Sequence, residues 1–160
     1  MLTMQGRKVA VLDIDLHHGN GTQGIFYDRP DVLTVSLHAH PERFYPFFWG
    51  YPDERGTGAG EGANLNLALE RGSADLPFQR ALGEALDRIT LWGADTLVLA
   101  LGLDAFIDDP FAGLAVTTQG FAQIGQQIRA LNLPTLIVQE GGYLCPELGQ
   151  NLAAVLKAFL

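Results

Sequence analysis

Four short apolar runs constrain the fold of this chain more than any other feature of its sequence. Each run is rich in Val, Leu and Ile and alternates little between apolar and polar residues, which is typical of strands buried on both faces of a parallel sheet. The runs cover residues 9–12, 32–37, 96–101 and 135–138. They predict a parallel sheet at the centre of the domain.

Three segments between or after these runs carry apolar residues at helical spacing. In residues 76–92, for example, Leu82 and Ile89 fall on one face of a helix. The other two segments are residues 118–131 and 148–160. Strands that alternate with helices predict an α/β fold, and the chain is long enough for a single domain over residues 1–160 with a real core.

A long stretch, residues 38–62, breaks this pattern. It is dense in Pro, Gly and aromatic side chains and has no clean period. A loop of this length inside a compact domain is usually functional or disordered. Because the many aromatic side chains argue against disorder, we expect a functional loop here.

The composition of the chain excludes several partners. The formal net charge of −8 argues against nucleic acid, which would need a basic face. The same charge suits a small cationic substrate, although it equally serves solubility alone. The single cysteine, Cys145, excludes an internal disulfide and indicates the reducing cytoplasm. No apolar run approaches the roughly 20 residues of a membrane-spanning helix, so no membrane partner is expected.

Polar side chains that can bind a metal follow two of the predicted strands. Asp13, Asp15 and His17 follow the first run at alternating positions, and Asp104 follows the third run. Loops at the carboxyl ends of parallel strands meet at one edge, where ligands collect. Two Asp and one His around one ion, with positions left open, form the plan of a catalytic zinc site. After the fourth run, a pair of glycines allows a tight turn that brings Tyr143 over this edge.

Five motifs, in this order, resemble the histone deacetylase superfamily. The first, residues 13–23, resembles the zinc-binding signature of that family. The others are residues 34–38, 58–62, 101–104 and 141–143. Within the family, Asn20 and the stretch 45–56 are most similar to bacterial acetylpolyamine amidohydrolases and class II histone deacetylase-like amidohydrolases. The resemblance implies a three-layer α/β parallel-sheet fold of the arginase and deacetylase type, of which residues 1–160 would form only the C-terminal part.

The resemblance implies a zinc-dependent enzyme that hydrolyses acetylated amines, of the acetylpolyamine or acetyl-lysine type, with a metal-activated water. One Zn²⁺ per chain would be bound by Asp15, His17 and Asp104. Tyr143 would donate a hydrogen bond to the oxyanion that forms when water attacks the amide carbonyl. Asp13 would orient a catalytic histidine.

Structural K⁺ or Na⁺ ions and a substrate tunnel are implied in the same way. The first monovalent ion would be bound by Asp13, Asp15, His17, Ser36 and Leu37. The second would be bound by backbone carbonyls near Phe26, Arg29 and Val32. The tunnel would include Phe48, Phe47 and Gly102.

The resemblance covers only the second half of the family's longer chain. The first half of that chain carries the histidine pair that acts as general base and general acid, so we expect full activity to need it. The alternative is a catalytically incomplete metal-binding fragment or pseudoenzyme that forms a homo-oligomer or assembles with a partner. Residues 135–138 are expected to form the exposed strand edge of such an assembly. A two-manganese ureohydrolase is a weaker interpretation, because it needs a second carboxylate-rich ligand set.

Overall fold

Five parallel strands form the centre of the domain in the computed structural model, which describes residues 3–160. The strands are β1 (Val9–Asp13), β2 (Val32–Ala39), β3 (Asn64–Leu69), β4 (Thr96–Leu101) and β5 (Thr135–Gln139). Their spatial order is β3-β2-β1-β4-β5, and every neighbouring pair is parallel. The four apolar runs lie in β1, β2, β4 and β5, which confirms the predicted parallel sheet.

Four α-helices connect or follow the strands. They are α1 (Asn20–Phe26), α2 (Asp75–Trp92), α3 (Thr118–Ala130) and α4 (Leu148–Leu156). Short 3₁₀ turns lie at Thr3–Gln5, Gly58–Gly60 and Lys157–Phe159. The three predicted helices are confirmed as α2, α3 and α4, although the last one ends early in a 3₁₀ turn.

The strand β3 and the short helix α1 were not among the predicted elements. In β3, Asn64 and Asn66 are buried and alternate with half-buried leucines. This order is the reverse of the usual one, since apolar residues normally take the buried positions of an alternating strand. Helix α1 is only 7 residues long and contains two glycines, so it offers little helical signal.

The main core lies on one face of the sheet. Leu12 and Leu99 are register partners in β1 and β4 and are fully buried on this face. They belong to one apolar cluster with Leu82 of α2 and Phe121 of α3. Burying a side chain of this size contributes about 1.5–3 kcal/mol, so helices α2 and α3 fix the sheet that carries the site.

The opposite face is covered unevenly. Helix α1 packs against the β1–β2 part of this face, where Thr22 and Gln23 lie near Val11 and Thr34. Towards β5 the face is open, and Leu136 and Val138 are 59% and 38% exposed. Helices therefore flank both faces, as expected for the predicted α/β fold class, but β5 is an edge strand with an uncovered apolar side.

No helix among residues 3–160 is both long and apolar enough to cross a bilayer.

Candidate active site

The three predicted metal ligands meet at the carboxyl ends of two neighbouring strands. Asp15 and His17 follow β1, and Asp104 follows β4. One ligand atom from each of the three residues lies within 4.8 Å of the other two. The pairing of β1 with β4 explains this convergence, because it places both strand ends side by side.

Backbone amides hold the two carboxylates in place. Asp15 accepts hydrogen bonds from the N–H of His17 at 2.8 Å and of Gly141 at 2.8 Å. Asp104 is fully buried and accepts from the N–H of Leu16 at 2.9 Å. Donors of this kind fix the orientation of carboxylates that bind a metal.

The imidazole of His17 lies between the two carboxylates. Its Nδ1 is 3.0 Å from Asp15 Oδ1 and 3.1 Å from Asp104 Oδ2. The hydrogen bonds to Asp104 and Asp15 raise the pKa of His17 to about 9. Burial raises the pKa of Asp104, and the charge of Asp15 adds to this. The cluster therefore favours a positive charge at its centre.

Asp13 lies beside this cluster and is also nearly buried. Burial raises the pKa of Asp13 to about 8, although the N–H of Asp15 partly offsets this by donating a hydrogen bond at 3.0 Å. Its register partner in β2 is Ser36. The hydroxyl of Ser36 accepts from the N–H of Gly19 at 3.3 Å, so these residues form one polar group behind residues 15–19, which we call the metal-binding turn after the predicted ligands Asp15 and His17.

The residues predicted for monovalent ions fall into two places. Asp13, Ser36 and Leu37 lie at the carboxyl ends of β1 and β2, close to the metal-binding turn. The other three lie at the opposite end of β2: Phe26 ends α1, Arg29 lies in the connection, and Val32 begins β2. There the N–H of Arg29 donates to the carbonyl of Phe26 at 3.0 Å.

Aromatic rings surround His17. The ring of Phe111 lies 5.1 Å from the His17 ring, that of Phe44 lies 5.4 Å away, and that of Tyr45 lies 6.1 Å away. None of these three was predicted as a site residue, although Phe44 and Tyr45 lie in the aromatic-rich stretch, residues 38–62. They give the metal-binding cluster an apolar rim.

Tyr143 joins this rim through Phe111, whose ring is 4.5 Å away in an edge-to-face arrangement. The backbone N–H of Tyr143 donates to Asp109 at 3.1 Å, and the N–H of Phe111 donates to the same carboxylate at 2.9 Å. Asp109 is 3% exposed and was missed from sequence, since one acid in a loop carries no pattern. It ties the loop after β4 to the loop after β5.

The predicted tunnel residues lie at different depths. Phe48 and Phe47 are 75% and 48% exposed, and their rings pack against each other at 6.4 Å. Tyr45 links Phe47 to the rim of His17 at 6.4 Å. Gly102 is buried directly beneath Asp15, where an added Cβ would collide with the Asp15 backbone and carboxylate.

This combination defines a class of protein before any relative is considered. It is a parallel α/β domain with a cluster of two carboxylates and one imidazole at the carboxyl edge of its sheet. Residues 2–159 match the family model for the histone deacetylase domain. The chain therefore belongs to the histone deacetylase family.

Individual relatives agree with this assignment. The chain is 49% identical to an acetylpolyamine amidohydrolase from Burkholderia pseudomallei, over 95% of this chain and 45% of the relative. It is 44% identical to an acetylpolyamine amidohydrolase from Mycoplana ramosa, over 98% of this chain and 46% of the relative. The chain thus spans less than half the length of these curated relatives.

Solved structures show the same fold. An acetylpolyamine aminohydrolase from Burkholderia pseudomallei superimposes with a TM-score of 0.92 at 49% identity, covering 95% of this chain and 44% of that one. A histone deacetylase homologue from Aquifex aeolicus gives a TM-score of 0.85 at 30% identity, covering 99% of this chain and 41% of that one. The predicted resemblance and fold class are confirmed.

Proposed function

We propose that this chain forms the metal-binding part of a zinc-dependent hydrolase of acetylated amines, of the acetylpolyamine or acetyl-lysine type. One Zn²⁺ per chain would be bound by Asp15, His17 and Asp104. The observation that carries the proposal is the convergence of these three donors within 4.8 Å at neighbouring strand ends.

The donor set fits a zinc ion. Two carboxylates and a neutral imidazole offer oxygen and nitrogen ligands and balance the charge of a divalent cation. Protein N–H groups hold the carboxylates of Asp15 and Asp104 in place, and the three side chains leave further coordination positions free. When bound, zinc supplies polarisation of an amide carbonyl and a lower pKa for a water molecule.

The remaining residues of the site suit an acetylated amine. The rings of Phe44, Tyr45 and Phe111 around His17 offer apolar contact to the methylene groups of such a substrate. Phe47 and Phe48 would extend this surface outwards as a tunnel wall. The hydroxyl of Tyr143 would donate a hydrogen bond to the developing oxyanion, and the net charge of −8 would attract a cationic amine.

A structural K⁺ or Na⁺ beside the metal-binding turn is part of the same proposal. Asp13 is 8% exposed, and no cationic side chain pairs with it in residues 3–160. A buried carboxylate without a cationic partner is costly, so an ion between Asp13, Ser36 and nearby carbonyls, including Leu37, would offset this cost. The second ion is proposed at the carbonyls near Phe26, Arg29 and Val32.

Hydrolysis is proposed to need polypeptide beyond these 160 residues. The histidines within the described part of the chain have other contacts: His17 lies in the metal cluster, His18 is bonded to Gln23 and His38 is bonded to Gly50. The fourth histidine, His40, accepts from the N–H of Glu42 at 3.4 Å. We therefore assign the general base to none of these four histidines. Asp13 would orient the histidine that the additional polypeptide supplies.

The cytoplasm is the proposed location of the protein, because it keeps Cys145 reduced.

Zinc binding can be tested on the chain by itself. Replacing Asp104 by Ala removes a ligand and should lower the zinc affinity sharply. The loss should exceed the factor of about 10 to 100 that is typical when a residue that only orients a ligand is removed. Asp108→Ala is the matched control, since Asp108 is exposed and lies in the same loop. Equal zinc affinity of the two variants in isothermal titration calorimetry would show that the ligand assignment is wrong.

Activity can be tested by complementation. The chain would be mixed with the N-terminal part of the relative from Burkholderia pseudomallei and assayed on acetylputrescine, acetylcadaverine and an acetyl-lysine peptide. We expect turnover only in the mixture. Tyr143→Phe should abolish this turnover, and the control Tyr27→Phe should leave it unchanged. An inactive mixture that still binds zinc would favour the alternative, a catalytically incomplete domain that self-associates as a homo-oligomer or binds a partner.

A further inference from the structure

Gln23 connects the metal-binding turn to the aromatic loop, residues 44–50, without belonging to either. It lies in α1 and is 3% exposed. We propose that Gln23 is a positioning residue that fixes the aromatic loop beside the metal-binding cluster. The inference rests on the proposed function, because the loop matters only if its rings receive a substrate.

The hydrogen bonds of Gln23 determine how its amide is oriented. Its Oε1 accepts from Asn66 at 2.8 Å, from His18 Nε2 at 2.9 Å and from Asn64 at 3.1 Å. Its Nε2 donates to the carboxylate of Glu54 at 2.6 Å. A carboxylate only accepts hydrogen bonds, so the amide cannot be reversed without losing the contact to Glu54.

Glu54 also binds the last residue of the aromatic loop, Gly50, and so connects it to Gln23. Its two carboxylate oxygens accept from the N–H of Gly50 at 3.0 and 3.2 Å. On the other side, the carbonyl of Gly50 accepts from His38 Nε2 at 2.9 Å. Gly50 has a φ of +110°, and an added Cβ would lie 2.7 Å from His18 and 2.8 Å from His38. Gly50 is therefore fixed through its N–H, its carbonyl and its lack of a side chain.

The loop needs such an anchor because its own conformation is unfavourable. Phe47 and Phe48 have φ values of +54° and +56°, which residues other than glycine rarely adopt. Both rings are largely exposed, so they bury little apolar surface that could offset this cost. Trp49 lies against α1, where an added Cβ at Gly24 would be 3.5 Å from its ring. The anchor at Glu54 and Gln23 thus maintains the loop.

The position of the loop bears on the site through its other end. Phe44 and Tyr45 carry two of the three rings that line His17. Gln23 also binds His18, which follows His17 in the metal-binding turn. One buried amide therefore holds both the turn and the loop, and it sets the distance between the metal ligands and the apolar rim.

A charge exchange between two residues tests the inference. In Gln23→Glu, two carboxylates would face each other at the present 2.6 Å contact, and the donor to Glu54 would be lost. Loss of a hydrogen bond to a charged group should raise the population of the detached loop about 10- to 100-fold. Adding Glu54→Gln should reverse the effect, because Glu at 23 accepts from His18 and both asparagines while Gln at 54 donates to it.

The readouts are measured without metal or substrate, so failure of the proposed function would leave them interpretable. In a Trp92→Phe background, acrylamide quenching reports the exposure of Trp49. Trypsin cleavage after Arg43 reports opening of the loop, since its rate follows the open population when opening is fast. Both should rise in Gln23→Glu and return to the starting values in the double variant, whereas Asp53→Asn, which neutralises an exposed charge next to Glu54, should change neither.

Glu54→Ala keeps the test decisive if Gln23→Glu fails to fold. Glu54 is only half-buried and lies in a connection, so helix content should persist while the link to Gly50 is lost. Quenching and cleavage should increase as in Gln23→Glu. Unchanged Trp49 quenching and Arg43 cleavage in Glu54→Ala, or no recovery in a folded double variant, would overturn the positioning role.

Discussion

Mild acid is expected to destabilise this protein through one buried histidine, His38. Its side chain is fully buried. Its Nε2–H donates to the carbonyl of Gly50 at 2.9 Å, and its Nδ1 accepts from the hydroxyl of Ser36 at 2.9 Å. A second proton would break the bond from Ser36 and bury a charge. Burial, reinforced by the nearby His18, lowers the pKa of His38 to about 3.

The size and sign of the effect follow from this pKa. In the unfolded chain the pKa of a histidine is about 6.5. Between the two values only the unfolded state binds the extra proton, so stability is lost as the pH falls below about 6.5 and the loss ends near pH 3. At about pH 5 the contribution of His38 should be a loss of about 2 kcal/mol, increasing by about 1.4 kcal/mol for each further pH unit.

A His38→Gln variant isolates this contribution, because glutamine preserves a donor and an acceptor but does not titrate. The comparison is needed since Asp13 and His17 have raised pKa values and therefore favour the folded state as the pH falls. Urea unfolding of both proteins at about pH 7.5, 6 and 5 should show wild type losing about 2 kcal/mol more than the variant. A difference that stays constant with pH, or a His38 ring that titrates between pH 5 and 7 in NMR spectra, would refute the reasoning.

Three further substitutions test the packing around the site and the open strand. Gly141→Ala would push a methyl group against both ligand carboxylates and should lower zinc affinity about 10- to 100-fold in calorimetry; unchanged affinity would contradict this. Asp75→Ala removes the acceptor of two Thr117 hydrogen bonds, at 2.7 and 2.8 Å, and should cost about 1–3 kcal/mol in urea unfolding. Leu136→Lys should reduce concentration-dependent light scattering if β5 self-associates. Leu136 is a better position than Ile137, because Ile137 packs on the core. A wild-type protein that stays monomeric at all concentrations would exclude self-association.

Much of the fold could be predicted because most of its strands are buried in the simplest way. In β2 every one of the 8 residues is buried, so a run of apolar residues interrupted only by Thr34 and Ser36 identified it. Strand β3 was not predicted from the sequence, because Asn64 and Asn66 take buried positions, where their amides bind Gln23. Two asparagines at alternate positions were the available signal, and they indicate a buried polar network behind the strand.

The convergence of the three proposed metal ligands was predictable for a related reason. Asp15, His17 and Asp104 follow the ends of buried strands, and the rules for parallel sheets bring such ends together. Gln23 and Asp109 were not predictable, because each has a partner that is distant in sequence. The distant partner of Gln23 is Glu54, and that of Asp109 is the N–H of Tyr143.

The sheet order also predicts that the proposed metal binding and the proposed role of Tyr143 should respond differently to perturbation of β5. The proposed metal ligands follow β1 and β4, which have a neighbouring strand on each side and contribute fully buried residues to the core. Tyr143 follows β5, an edge strand whose Leu136 and Val138 are exposed. Edge strands with few apolar contacts open at lower free energy than the core. Conditions or variants that loosen β5 should therefore release Tyr143, and with it the Gly141 N–H that holds Asp15, more readily than His17 and Asp104. Any polypeptide that covers β5 should stabilise the tyrosine more than these two proposed ligands.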